Sequence, residues 1–168
     1  LVPSVTLHHE NPRNATIPDN TGVMVHTNPD GLRTRWTRES FRTQRERIVV
    51  MGDSFTFGLG VEDDESVPAN LQAVLRERLE REDVGVLNAG VISYSPFIQR
   101  EAFREVVSHY APTLTILMLD LGDVGDDYKY AQTALPGGDP SRPRFDVEES
   151  QYHPEREVAL LKLAAPIL

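Results

Sequence analysis

The stretch VVMGDSFTFG, residues 49–58, decides the fold of this chain. The run Ile48–Met51 is apolar and free of charge, which is typical of a strand buried on both faces of a parallel sheet. Gly52 permits a sharp exit, so Ser54 is expected at the carboxyl edge of the sheet, where α/β proteins place their ligands. A serine hydroxyl there becomes a nucleophile when a base removes its proton. In the alternative interpretation, Asp53 and Ser54 only turn the chain.

Alternating strands and helices follow this stretch, so we interpret residues 47–168 as one α/β domain. Pro68 suits the start of a helix that ends near Glu82. The apolar face predicted for it consists of Val67, Leu71, Val74, Leu75 and Leu79. A strand at 84–87, a helix from Ser95-Pro96 to Tyr110 and a strand at 114–119 complete the pattern. This order predicts a parallel, doubly wound sheet.

The ends of the chain carry weaker patterns. Residues 1–46 are interpreted as an N-terminal region, with an irregular arm over 1–20. A hairpin is predicted in which 22–27 pairs with 32–36 across the turn Asn28–Gly31. Towards the C-terminus, 137–143 predicts a surface loop and 154–165 a helix.

Composition limits the classes of function. The 168 residues suffice for one domain with a core. A formal net charge of −9 gives no electrostatic help for binding nucleic acid or an anionic membrane, so we expect neither partner. With no cysteine, thiol chemistry and thiolate metal sites are excluded. No run approaches the roughly twenty apolar residues of a membrane span. No signal peptide is visible, and because the chain begins at Leu1 we expect it to be processed or cut; a cytoplasmic and an exported location both stay open.

Four segments carry a resemblance to a known family. Gly52-Asp53-Ser54 with Gly58 resembles the first block of the GDSL or SGNH hydrolases, which are serine esterases and lipases. The segment 27–33 resembles the Asn-x-x-Gly-x-Arg stretch of one bacterial branch. Residues 86–91, with Asn88 and Gly90, are similar to the second block, and 110–119 to the strand before the third. The resemblance implies a flavodoxin-like, three-layer α/β/α fold with a parallel sheet, preceded by a short β-hairpin.

The resemblance also implies roles for residues. Ser54 would be the nucleophile, and its backbone N–H would donate to the oxyanion. The second-block glycine position falls on Ser93, whose N–H would donate as well. The third-block asparagine position falls on Gly122, which has no side-chain donor. Because losing one such donor costs on the order of 3 kcal/mol, we predict impaired activity on simple esters.

The catalytic base has two candidates. The family carries an Asp-x-x-His pair before its last helix, and His153 precedes Pro154 in a similar way. Ser150, however, stands where the aspartate belongs. The alternative, which we favour, is that 145–168 form an insertion and that the chain stops before the true Asp-x-x-His. The third strand would then be an uncovered edge open to self-association.

Other sites are weighed more briefly. Aspartates at 120, 123, 126 and 127 suit either a Mg²⁺ or Ca²⁺ site or a solvated loop, and we favour the loop. Residues 52–60 lack the lysine of a phosphate loop and the spacing of a dinucleotide site. We therefore expect no metal and no cofactor.

The sequence supports two hypotheses about function. The first is an SGNH-type serine hydrolase that acts on carboxylic esters or acyl groups, with a small-molecule or glycan ester as substrate. The second is a catalytically impaired relative that serves as a carbohydrate-binding or scaffold module. With 7% aromatic residues, we expect an esterase rather than a true lipase.

Overall fold

Two short antiparallel pairs open the fold, in a computed structural model that describes residues 1–133 and 144–145. In chain order the four strands are β1 (Val2–Ser4), β2 (His8–Glu10), β3 (Thr16–Pro18) and β4 (Met24–His26). Strand β1 pairs with β2, and β3 pairs with β4. The turn between β3 and β4 is fixed by Asp19, whose carboxylate accepts from the N–H groups of Thr21 and Val23.

The remaining described elements alternate between helix and strand. They are α1 (Arg38–Arg42), β5 (Glu46–Gly52), α2 (Ser54–Phe57), α3 (Val67–Leu79), β6 (Val84–Gly90), α4 (Pro96–Glu105), β7 (Leu114–Leu117) and α5 (Asp123–Thr133). Single 3₁₀ turns at Asp63–Glu65 and Val107–Tyr110 precede α3 and follow α4. The predicted strand and helix order is confirmed.

Strands β5, β6 and β7 form one parallel sheet in the order β6-β5-β7. This is the α/β class predicted from the sequence. The chain leaves the central strand β5 towards β6 and returns past it to β7, so the strand order reverses between β5 and β7. In open α/β sheets, ligands bind outside the carboxyl ends of the strands at such a switch point. A ligand site is therefore expected at the residues that follow Gly52 and Leu117.

Helices cover both faces of the sheet. On one face Ile48 and Leu114, which are paired in register, line a groove with Leu75 and Leu79 of α3. On the other face Met51 and its partner Leu117 line a groove with α4. Right-handed crossovers in opposite directions place successive helices on opposite faces. The result is a three-layer arrangement around Val49, Met51 and Leu87, which are at most 2% exposed.

The two edges of this sheet differ. The outer edge of β6 is closed by side chains, because Trp36 Nε1 donates to the Val86 carbonyl (3.1 Å) and Gln72 Oε1 accepts from the Val86 N–H (3.0 Å). Among the described residues, the outer edge of β7 pairs with no strand. Leu114 and Leu117 of β7 are 52% and 48% exposed. An uncovered apolar edge of this kind is a template for pairing with another strand.

The N-terminal region packs onto the sheet domain through buried polar contacts. Asn28 Nδ2 donates to the hydroxyl of Tyr110 (2.7 Å), which donates in turn to Asp30 (2.8 Å). Asp30 also holds Arg38 through an ion pair of 2.7 Å. Burial raises the pKa of Asp30, but Arg38 and Tyr110 outweigh it, and the pKa lies below its ordinary value. Residues 1–46 are thus bonded to the core.

Three sequence predictions in the N-terminal half are wrong. Strand β4 pairs with 16–18 and not with 32–36, which form no strand, so the hairpin has a different partner. The arm at 1–20 is not irregular, because it contributes β1, β2 and β3. In α3, Val67, Val74 and Leu79 are 50%, 45% and 49% exposed, so only part of the predicted apolar face is covered. The buried residues of that helix are instead Pro68 and Gln72.

The C-terminal predictions meet the limits of the described residues. The loop at 137–143 and the helix at 154–165 lie outside them. No helix in the described part of the chain is both long and apolar enough to cross a membrane.

Candidate active site

Ser54 lies where the central strand ends. Strand β5 stops at Gly52, and Ser54 is the first residue of α2. The turn needs a glycine at 52 because a Cβ there would overlap the hydroxyl of Thr56. Helix α2 ends at Gly58, whose φ of 85° is the left-handed conformation that glycine adopts at little cost. The backbone thus turns sharply on both sides of the serine.

Helix α2 rests directly on the end of β6. A Cβ at Gly90 would overlap the backbone nitrogen of Phe57. Asn88 locks this contact, because its Oδ1 accepts from the Gly90 N–H (3.0 Å) and its Nδ2 donates to the Phe57 carbonyl (3.2 Å). Asn88 and Gly90 therefore position the helix that carries Ser54, which gives both motif residues a structural role.

Arg33 fixes the loop that follows α2. Its side chain is 1% exposed, and its guanidinium donates to the carbonyls of Phe57 (3.1 Å), Gly58 (2.6 Å) and Val61 (2.6 Å). The charge is balanced by Asp63, which accepts from Arg33 Nε at 2.7 Å. Buried charges need this combination of a counter-ion and hydrogen bonds. Through Arg33, the N-terminal region thereby holds the segment that follows Ser54 in place.

Asp53 caps α2 beside the serine. Its carboxylate accepts from the N–H of Phe55 at 2.9 Å. Burial raises the pKa of Asp53 above its ordinary value, and the neighbouring Asp120 raises it further. The carboxylate oxygens of Asp53, Asp120 and Asp123 lie within 4.8 Å of one another. The acidic residues after β7 therefore face the serine turn.

These acidic residues serve as helix caps. Asp123 Oδ2 accepts from the Asp120 N–H (3.0 Å), and Asp120 Oδ1 accepts from the Asp123 N–H (3.3 Å), which forms a reciprocal cap at the start of α5. Asp127 accepts from the N–H of Phe97 (2.7 Å), at the start of α4. Carboxylates are favoured at helix N-termini. The favoured prediction of a solvated loop over 120–127 is wrong, because this segment begins α5.

Burial is also the leading cause of the raised pKa of Asp123. The negative charges of Asp120, Asp126 and Asp127 add to it. Three of the four aspartates, Asp120, Asp123 and Asp127, thus act as helix caps.

Ser93, the expected second oxyanion donor, follows β6. Its φ is 64°, a left-handed conformation that a glycine would adopt with less strain. Its hydroxyl lies 2.8 Å from the hydroxyl of Tyr130 in α5. Tyr130 was not predicted, because no local pattern links it to residue 93.

Gly122, the expected third contributor, has its N–H directed to the carboxylate of Asp120. A Cβ at this position would approach Asp120 Oδ1 to 2.9 Å. The N–H is therefore engaged in the cap of α5, and it would reach an oxyanion only after leaving Asp120.

The histidines of the described chain lie elsewhere. His26 binds Asp63 at 2.6 Å, and His109 is exposed in the 3₁₀ turn after α4. His8 and His9 are buried beside Tyr94 and Tyr130. No hydrogen bond links any of these four to Ser54 within the described residues. His153 lies outside the described residues, so its role as base stays a prediction.

Comparison with known proteins gives a partial likeness. No protein-family model matches, and neither does any curated protein. Some solved structures are similar. One is the crystal structure of AlinE4, an SGNH-hydrolase family esterase, at 27% identity and a TM-score of 0.41, covering 52% of this chain and 44% of that one. A mutant of the same esterase overlaps 51% of this chain with the same identity and TM-score. The chain thus matches less than half the length of these structures.

Several residues that organise the site had no assigned role in the sequence analysis. Arg33 belonged to a recognised motif, but its bonds to carbonyls 24 to 28 residues away leave no local signal. The pair His26–Asp63 and the contact of Trp36 with Val86 span still more of the chain, 37 and 50 residues.

Proposed function

We propose that this chain is an SGNH-type serine hydrolase that acts on carboxylic esters or acyl groups, with Ser54 as nucleophile. The observation that carries the proposal is the place of Ser54, at the carboxyl end of the central strand and next to the switch point between β5 and β7. A serine at the start of a tightly held helix presents its hydroxyl to a ligand at that edge. The family resemblance of the surrounding motif supports the same reaction.

The reaction proceeds in two displacements. A base takes the proton of the Ser54 hydroxyl while the hydroxyl oxygen attacks the acyl carbon. The protonated base then gives that proton to the alkoxide leaving group, which departs as the alcohol. Water then attacks the acyl-serine, which restores the free hydroxyl and releases the acid. The negative oxygen formed in each step needs donors that are already in place. We assign these donors to the N–H groups of Ser54 and Ser93. Gly122 is assigned to the position of the third oxyanion contributor.

The base is either His153 or a residue beyond Leu168. The substrate is a small ester or an acylated glycan. Phe55, which is 69% exposed and adjacent to Ser54, offers an apolar surface for an acyl group. Self-association through the outer edge of β7 stays a prediction alongside these assignments.

A second function is favoured by one observation. The Gly122 N–H is engaged by Asp120, so the third oxyanion contributor is occupied where the family has a free side-chain donor. A domain in that state would bind a ligand without turning it over. We therefore keep a carbohydrate-binding or scaffold role as the alternative.

Labelling with a fluorophosphonate separates the two. The chain is incubated with the probe, and the modified residue is identified by mass spectrometry. For a hydrolase we expect one adduct at Ser54, absent in Ser54→Ala and retained in Ser108→Ala, which removes an exposed serine hydroxyl. Failure of the parent chain to react, while a known SGNH esterase reacts in parallel, would contradict the hydrolase. Slower labelling and slower turnover of a p-nitrophenyl ester in His153→Ala would identify the base.

A further inference from the structure

A cleft of about 330 Å³ lies along the closed edge of β6. Trp36, Gln72, Val86 and Asn88 line its interior, and Ser54 is not among the lining residues. Its volume falls at the lower end of the range for small-molecule sites. The cleft is therefore a candidate binding site that is separate from the serine.

Gln72 directs a hydrogen-bond donor into this cleft. Its Oε1 accepts from the Val86 N–H (3.0 Å) and from Trp36 Nε1 (3.2 Å). Both partners are donors, so the amide has only one possible orientation. The residue is 9% exposed, and its Nε2 has no hydrogen-bond partner among the described residues. This nitrogen is not among the buried side-chain atoms that lack a partner, so it is open to the cleft and can donate to an acceptor from outside the chain.

Asn88, which lies two residues after Val86 in β6, has the same pattern of hydrogen bonds. Its Oδ1 accepts from the Gly90 N–H, and one hydrogen of its Nδ2 is donated to the Phe57 carbonyl. The second hydrogen of Nδ2 has no acceptor within the described residues. The side-chain oxygens of the floor are thus used internally, while amide hydrogens remain. The floor selects a ligand that offers an acceptor such as a carbonyl.

The walls of the cleft are apolar and its charges are balanced. Pro68 and Ala69 of α3 join Trp36 and Val86 in the lining. The buried charge of Arg33 is matched by Asp63. At the rim, Arg35 and Asp64 are exposed, and neither forms an ion pair within the described part of the chain. Balanced charges favour a neutral ligand, whose hydroxyl groups can bind a free cation and a free carboxylate together.

We propose that this cleft binds a neutral, N-acetylated sugar unit. The acetamido carbonyl accepts from the side-chain amides of Gln72 and Asn88, and its methyl group packs against Val86 and Ala69. The hydroxyl groups of the ring face the charged rim. The proposal does not depend on Ser54 chemistry, because it rests on the floor donors alone.

Titration of the ¹⁵N-labelled chain with tri-N-acetylchitotriose tests the site. We expect saturable shifts of the Trp36 indole N–H and the Gln72 side-chain amide in the correlation spectrum. Since the chain has a single tryptophan, the indole signal is unambiguous. In Gln72→Glu, one carboxylate oxygen still accepts from Val86 and Trp36, but the donor is lost. At pH 7.5 we expect at least tenfold weaker binding, with the remaining spectrum unchanged.

A second variant keeps the test valid if Gln72→Glu fails to fold. Ala69→Leu lies on the half-covered face of α3 and fills the cleft without altering any hydrogen bond, so it should also abolish the shifts. Cellotriose, which lacks the acetamido group, should bind at least tenfold more weakly. Equal affinity for cellotriose would overturn the assignment of the acetamido group. Equal affinity for N-acetylglycine N-methylamide would overturn it in favour of a peptide. Absence of shifts at 10 mM trisaccharide would overturn the site itself.

Discussion

The indole nitrogen of Trp36 donates to the backbone carbonyl of Val86 across 3.1 Å, and thereby occupies the edge of β6 where a fourth strand would otherwise pair. The same N–H is shared with Gln72 at 3.2 Å. A side chain of the N-terminal region thus bonds a backbone carbonyl that a neighbouring strand would otherwise bond. This arrangement closes the outer edge of β6, whereas the outer edge of β7 pairs with no strand among the described residues.

Trp36→Phe tests that arrangement. The ring keeps its contact with Phe41, but the Val86 carbonyl loses its donor. Because a buried acceptor without a partner costs about 1–3 kcal/mol, we expect the free energy of unfolding to fall by that amount. Urea unfolding followed by circular dichroism measures it, since the variant has no tryptophan. Unchanged stability would show that the indole N–H is not needed at this edge.

Arg33→Met removes the guanidinium that holds the loop after α2. Three carbonyls lose their donor and Asp63 keeps only His26 as a partner, so we expect a loss of about 3 kcal/mol. Arg35→Met, two residues away, is the matched control. Its side chain forms no ion pair within the described part of the chain, and an exposed substitution of this type stays within about 0.5 kcal/mol. Equal effects of the two substitutions would contradict the role of Arg33.

A pair of glycine substitutions tests the contact between α2 and β6. Gly90→Ala places a methyl group on the nitrogen of Phe57, so we expect lower stability and loss of fluorophosphonate labelling at Ser54. Gly125→Ala in α5 meets nothing within 4 Å, and alanine is favoured there by up to about 1 kcal/mol. Thermal unfolding compares the two. If Gly90→Ala left the melting temperature unchanged, α2 would not rest on β6.

The raised pKa of Asp53 predicts a pH-dependent effect. The folded chain binds the Asp53 proton more tightly than the unfolded chain, so ionisation costs stability as the pH rises from about 3.8 through the folded pKa. Asp53→Asn keeps an acceptor for the Phe55 N–H and cannot ionise. We expect it to melt at a higher temperature than the parent at pH 7, with no difference below about pH 3.8. A lower melting temperature at pH 7 would contradict the assigned repulsion.

The open edge of β7 predicts concentration-dependent association. Leu117→Lys places a charge at that edge, and we expect it to lower the mass measured by sedimentation if the chain self-associates there. Val74→Lys is the control, because Val74 is similarly exposed (45% against 48%) but lies in α3 and does not line the groove beside β7. An effect of Val74→Lys alone would place the contact elsewhere.

The sequence was sufficient for the sheet and insufficient for the contacts around it. Strands β5, β6 and β7 are short apolar runs bounded by glycine or turn residues, so a local pattern reveals them. Helix α5 was missed because its start depends on reciprocal caps from Asp120 and Asp123, and its apolar residues are too few to show a period.

Within the candidate site, Ser54 and its glycines were expected from their motif. The ties of Arg33 to α2 and of Ser93 to Tyr130 join residues that lie far apart in sequence. Such pairs leave no periodic signal, so a single sequence does not reveal them.

Hydrogen bonds that join residues 1–46 to the later part of the chain limit which fragments of this protein can fold. Tyr94 donates to the His9 carbonyl, Tyr110 binds Asn28, and Arg33 serves three carbonyls beyond Gly52. Residues 1–46 therefore supply donors and acceptors that the sheet cannot replace with its own. A fragment that begins at residue 47 should behave as an incomplete cooperative unit rather than as a free-standing domain. If that fragment failed to fold, its lack of activity would say nothing about whether Ser54 is a nucleophile.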